Sequence, residues 1–124
     1  MRDPAPFRIG SRVRSVGYAL AGIALMLRGQ HNAWLHLAAT VVVVALGWAV
    51  ELARLEWALI ALAIALVWAA EALNTAFELL CDVANPEFHP LVKGAKDVAA
   101  GAVLISAIGA AAVGALVFAP YLFR

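Results

Sequence analysis

Charged side chains are scarce in this sequence: Asp, Glu, Lys and Arg supply 14% of its 124 residues, while 65% are hydrophobic. Soluble domains are about 45–50% apolar, so a soluble globular class is excluded, and a mean hydropathy of +0.92 points to a membrane protein. Cysteine is nearly absent. The single Cys81 cannot close an intrachain disulfide, and with His31, His36 and His89 scattered along the chain it forms no zinc-ligand grouping. The phosphate-cradling GxxxxGK[ST] loop is missing, as are the Gly-rich, HRD and DFG signatures of protein kinases. The length suits one small unit, 1–124, and not a second domain. Net charge is +1, and no nucleic-acid partner is expected.

What the chain does have is long apolar runs. Residues 33–50 (AWLHLAATVVVVALGWAV) carry no formal charge with His36 neutral. A second run starts at Trp57, is purely apolar to Ala70 and keeps a helical pattern to Cys81, giving a span over 57–81. The third covers 98–122. Roughly 20 apolar residues cross a bilayer core of about 30 Å, so all three qualify, the middle one with its polar stripe included. Their outer faces show no polar side, which excludes a soluble bundle.

Residues 1–31 differ. Ile9, Val13, Val16, Leu20, Ile23 and Leu27 recur at steps of four and three, with Arg8, Arg12 and Arg14 mostly off that stripe. This pattern predicts an amphipathic helix in the headgroup plane, arginines toward phosphate. A basic start before ALAGIALML also fits a signal peptide; a true span following almost at once favours the surface helix. The expected fold is an all-α membrane protein with an N-terminal surface helix and three transmembrane helices. With the N-terminus inside, Arg2, Arg8, Arg12, Arg14, Arg28, Lys93 and Lys96 are cytoplasmic and only Arg54 and Arg124 lie outside. By the positive-inside rule this places the polar loop 82–97 (DVANPEFHPLVKGAKD) in the cytoplasm.

The second run ends in EALNTAFELLCD. Glu71, Asn74, Thr75, Glu78 and Asp82 share one helix face, since steps of three and four return to the same side. Ionisable groups at such depth are costly and face a partner or a water-filled site. Asn74 and Thr75 have an alternative use as interhelical hydrogen bonds, and Glu78 can reach the headgroups; neither explains Glu71. Lys96 and Asp97 stand next to a helix start expected at Val98, where free backbone N–H groups favour phosphate, with Lys93, Gly94 and His89 as further donors. A plain N-cap for Asp97 and interfacial anchoring for the lysines are the bland readings. Carboxylates beside a basic helix start suit phosphoryl transfer: acidic groups hold Mg²⁺, and a base positions the attacking hydroxyl. His36 is expected to be a packing or interfacial residue rather than a ligand.

EALNTAFE followed by HPLVKGAKDVAAGAVL resembles the small bacterial integral-membrane lipid kinases, the diacylglycerol kinase and undecaprenol kinase family. The likeness runs back through GYALAGIALMLRGQHNAWLHLAAT without a gap, so it covers nearly the whole chain. It implies a homotrimer with active sites shared between subunits and ATP with Mg²⁺ as donor. The acceptor it implies is a membrane lipid alcohol: diacylglycerol giving phosphatidic acid, or undecaprenol giving undecaprenyl phosphate. By the same resemblance Glu71 is the general base, Glu78 a Mg²⁺ ligand, and Asn74 an orienting group for substrate or phosphate. Lys96 and Asp97 match the nucleotide-binding pair, Glu87 and His89 a nucleotide-contacting loop, and Tyr18 a tyrosine near the nucleotide. Many members have glutamate, a second metal ligand, where this chain has Gln30. Lower metal affinity, help from Asp82, or water in the shell would each accommodate that change. The Arg28, Asn32 and His36 pattern in LRGQHNAWLH leans toward the undecaprenol-like members.

The last span is rich in alanine with Gly101, Gly109 and Gly114, as in helices that approach one another closely in lipid, and is expected to pack inside the oligomer. Trp34, Trp48, Trp57 and Tyr121 sit near span ends as belt aromatics do, while Trp68 suits either packing or contact with the lipid substrate. The rival to a kinase is a proton or ion pathway in which Glu71, Glu78 and Asp82 form a relay; against it, 57–70 has no titratable residue to continue the path.

Overall fold

The computed structural model describes residues 6–123, so Arg2 and Arg124 lie outside the described residues. Within them the chain forms four helices, α1 Ile9–Gly29, α2 His31–Ala49, α3 Arg54–Ala84 and α4 Pro90–Leu122. The last three are long and apolar enough to cross a membrane. At 1.5 Å per residue, the 31 residues of α3 and the 33 of α4 extend roughly 46 and 50 Å, well beyond a hydrocarbon core of about 30 Å. The surplus lets polar ends of both helices stand outside the apolar layer.

Each boundary has a local cause. Glycine costs helix stability, and α1 ends at Gly29. Gln30 is extended (φ −122°, ψ 119°), so one residue both closes α1 and opens α2. Between Gly47 and Pro86 the sequence has neither glycine nor proline, and α3 runs unbroken through that stretch. It stops at Asn85, because a residue before proline is driven out of the α region. His89 then caps α4: its Nδ1 accepts from the Leu91 N–H at 3.2 Å, and Pro90 takes the first helical position, where no N–H is needed.

The expected loop 82–97 is therefore confined to 85–89, and the helix start placed at Val98 lies at Pro90 instead. Lys96 and Asp97 are helix-interior residues. Their backbone N–H groups are used within α4 and offer nothing to a phosphate, since only the first turn of a helix has free N–H groups. The spans also differ at their ends: α2 begins at His31 and stops at Ala49, and α3 begins at Arg54.

The short connection makes α3 and α4 antiparallel neighbours, and their contacts run the full length. At one end the Tyr121 hydroxyl donates to Glu56, whose carboxylate also accepts from the Ala53 N–H at 2.9 Å and so caps α3. At the other, Lys96 Nζ donates to Asp82 Oδ1 at 2.5 Å. Leu52, Ile60 and Val117 form a small core at the Tyr121 end, covered by Val43, Val50, Trp57, Ile64, Val113 and Phe118. Most other large apolar side chains are exposed, as in a chain whose remaining faces meet lipid or another subunit.

Candidate active site

The polar stripe of α3 is buried at its deep end and opens toward the connection. Glu71 is 0% exposed, Asn74 and Thr75 are buried, Glu78 is half-buried and Asp82 is exposed. Counting back from Ala84, Glu71 lies roughly 20 Å inside the end of α3. Thr75 donates its hydroxyl to the Glu71 carbonyl at 3.0 Å, which satisfies the threonine and leaves the Glu71 side chain untouched.

Two partners reach Glu78. Gln30 donates from Nε2 to Oε2 at 3.0 Å, across 48 residues of sequence, and Asn74 donates from Nδ2 to Oε1 at 3.4 Å. Gln30 gets there because the break between α1 and α2 points its side chain at α3. Glu71 is met by His36 of α2, with Nε2 3.3 Å from Oε2. That distance allows an ion pair, but the angle is poor for a hydrogen bond, so both Glu71 oxygens, His36 Nε2 and Asn74 Oδ1 are buried without a hydrogen-bond partner. Buried polar atoms are nearly always satisfied. Four orphans in one place mark a site completed by something from outside the chain.

Two cavities meet there. One, of about 270 Å³, is lined by Asn32, His36, Asn74 and Glu78 with Ala100, Val103 and Ala107 of α4. The other, of about 350 Å³, runs from His36 and Thr40 past Ile60 and Val67 to Phe118 and is almost entirely apolar. His36 and Ala107 are on the walls of both. The pair offers a polar chamber joined to an apolar crevice among the membrane helices.

The residues expected to act together are only partly gathered. Gln30, Asn74 and Glu78 are bonded to one another, and Glu71 lies behind them on the same helix. Lys96 is engaged with Asp82 and feels the Glu78 charge as well, while Lys93 holds Asp97 at 2.6 Å. Glu87 and His89 are exposed in the connection, and Tyr18 is exposed on α1 with no interaction joining it to the site. His36, expected from the sequence to be a packing or interfacial residue rather than a ligand, stands beside the Glu71 carboxylate; its spacing from Asn32 along α2 is the only signal of it in the sequence. Trp68 donates from Nε1 to Thr40 at 3.0 Å and packs its ring edge near His36, so it is a packing residue here.

Among the described residues no group of three or more His, Cys, Asp and Glu forms a metal cluster. Mg²⁺ does not require one: one or two carboxylates, with substrate phosphates and water, are its usual company. The Glu78 carboxylate and the orphaned Asn74 Oδ1 are hard oxygen donors of that kind and fit the ion, whereas Gln30 presents its amide nitrogen to Glu78 and would have to turn to add an oxygen.

A family model described as prokaryotic diacylglycerol kinase matches residues 17–118. An undecaprenol kinase of Bacillus subtilis (strain 168) is 40% identical over 109 residues, 88% of this chain and 89% of that protein. A diacylglycerol kinase of Synechocystis sp. is 38% identical over 107 residues, 86% of this chain and 61% of that protein. A diacylglycerol kinase of Pseudomonas aeruginosa is 30% identical over 108 residues, covering 84% and 88%. With three membrane-length helices and a carboxylate-lined site between them, this chain belongs to the prokaryotic diacylglycerol kinase family of membrane lipid kinases.

Proposed function

We propose that the protein transfers the γ-phosphoryl group of Mg·ATP to the hydroxyl of a membrane lipid at the cytoplasmic face of the inner membrane. The observation that carries this reading is Glu71: a fully buried carboxylate with both oxygens free of hydrogen bonds, behind a polar chamber that opens into an apolar crevice. An amphipathic alcohol fits that junction, tail in the crevice and hydroxyl at the chamber. Glu71, set just behind the chamber wall, accepts the hydroxyl proton as the oxygen attacks phosphorus, a role that requires the base to come within hydrogen-bond reach of that proton once the lipid is bound. Asn74 orients the hydroxyl or the phosphate. Mg²⁺, held by Glu78 with Gln30, offsets the charge on the phosphates when bound.

Lys96 supplies the cation on the phosphates, with Asp97, His89, Glu87 and Tyr18 as nucleotide contacts. Its ion pair with Asp82 is exposed, and exposed pairs are weak, so a phosphate can take Asp82's place. The amphipathic helix α1 lies at the interface, and 85–89 faces the cytoplasm, which agrees with the bias of basic residues to that side. The protein works as a homotrimer in which Tyr18 and the connection reach sites of neighbouring subunits; the apolar side chains exposed along α2, α3 and α4 support such an assembly.

Of the two acceptors, undecaprenol is favoured by the 40% identity to the Bacillus subtilis protein of that name and by Asn32 and His36 standing together at the chamber. The relay reading of Glu71, Glu78 and Asp82 finds no support: Asp82 is exposed and bound to Lys96. The test is transfer of label from γ-labelled ATP in mixed micelles containing undecaprenol or diacylglycerol. The expected result is labelled undecaprenyl phosphate in excess over phosphatidic acid; faster labelling of diacylglycerol reverses the acceptor, and label in neither lipid refutes the function.

A further inference from the structure

Glu71 needs a side-chain donor, and its own helix supplies none. Thr75 spends its hydroxyl on the Glu71 carbonyl, and Asn74 directs its amide at Glu78. Among the described residues His36 is the one basic side chain within ion-pair distance of the carboxylate. Its placement is not casual. The Thr40 hydroxyl donates to the His36 carbonyl at 2.7 Å and accepts from Trp68 Nε1 at 3.0 Å, so α2 and α3 are locked in register one turn from the pair. The Trp68 ring meets the imidazole edge-on, centroids 6.2 Å apart at 68°. His36 also lines both cavities, whereas Glu71 lines neither.

We propose that His36 is the positioning residue for Glu71: its Nε2–H donates to Oε2, fixes the carboxylate in one orientation and leaves Oε1 to meet the acceptor hydroxyl. This rests on the reading of Glu71 as the base. The contact at 3.3 Å is off-angle in the free protein, and catalytic hydrogen bonds commonly tighten only when substrate is bound. A small rotation of the imidazole completes it. The role resembles that of the hydrogen-bond partners which orient metal-ligating side chains, whose loss costs about 10- to 100-fold.

The test compares His36→Leu, which removes the donor, with His36→Gln, which keeps an N–H at similar reach. His36→Leu is expected to lower kcat by about 10- to 100-fold with KM for ATP and lipid held within about twofold, and His36→Gln to recover most of the loss. Loss through packing alone would not be repaired by glutamine, so equal damage in both variants overturns the proposal, as does a His36→Leu kcat near wild type. A second measurement needs no His36 variant. In ¹⁵N-histidine-labelled protein the His36 Nε2 resonance is expected to shift on Glu71→Gln, while the exposed His31 and His89 stay put. An unmoved Nε2 in an inactive Glu71→Gln protein overturns the role of His36 alone; a Glu71→Gln protein with wild-type kcat overturns the base reading beneath it.

Discussion

Glu71 and Glu78 sit two helical turns apart and face different company: one meets an imidazole at the edge of hydrogen-bonding range, the other is bonded by two amides. Spacing along a single helix made Glu71, Asn74 and Glu78 legible in the sequence, because their shared face follows from helical geometry alone. What was not legible is what depends on packing between helices. The contact of His36 with Glu71 requires the rotation of α2 about its axis, which no local pattern encodes. Gln30 shows the limit from the other side: family resemblance marks its position as that of a metal ligand, but its hydrogen bond to Glu78, across 48 residues, follows from no pattern in the sequence. Gln30→Glu replaces the donor with a second carboxylate. Without divalent cation that like-charge contact is expected to destabilise by roughly 1–3 kcal/mol. Binding restricted to the folded state raises stability by mass action, so added Mg²⁺ should raise the melting temperature of Gln30→Glu more than that of wild type. Equal Mg²⁺ responses in thermal scans would deny that this position takes part in metal binding.

At the level of elements, helix existence followed from hydropathy, and helix ends did not. α4 starts about two turns earlier than Val98, because Pro90, Lys93 and Gly94 read as loop composition, whereas His89 and Pro90 together make a cap and a first helical residue. The consequence is chemical: any phosphate bound near Lys96 would meet side chains, not free backbone N–H groups. The corner between α2 and α3 is a second place where packing decides. Glu51 adopts a left-handed φ of 55°, Leu52 turns inward, and Gly47 lies under the Trp57 ring. A Cβ on Gly47 would come within 2.6 Å of Trp57 Cη2 and 2.9 Å of Leu52 Cδ1, closer than carbon atoms approach. Trp57 packs on Trp48, centroids 5.5 Å apart, so both it and Leu52 would have to shift. Gly47→Ala is expected to destabilise by about 1–3 kcal/mol, the usual cost of overpacking, visible as a lowered unfolding temperature in detergent. An unchanged transition would show that the corner adapts freely.

For the whole molecule, the balance between covered and exposed surface is the informative quantity. One chain buries only a few large side chains, and leaves Leu62, Leu66, Ile105, Ile108 and Leu116 more than half exposed along the spans. Gly101 and Gly109 have nothing within 4 Å of where a Cβ would be, so the small-residue face of α4 closes on no helix of its own chain. Close packing of such faces is a route to helix association in lipid. Light scattering corrected for bound detergent should find three copies of the 13.0 kDa chain per particle; a monodisperse single chain that retains activity would remove the shared-site part of the account. Membrane residence and the number of spans were plain from composition and run length. Assembly was not, since exposed apolar surface in a spanning helix looks the same whether lipid or protein covers it.

The central claim is that Glu71 is the base of a lipid phosphoryl transfer, and the most direct measurement is the turnover of Glu71→Gln with labelled ATP and undecaprenol beside a binding titration of Mg·ATP. The amide, similar in size but unable to accept the hydroxyl proton, is expected to bind nucleotide about as well as wild type while losing about 10²- to 10⁴-fold in kcat. Turnover within a few-fold of wild type in Glu71→Gln would contradict it.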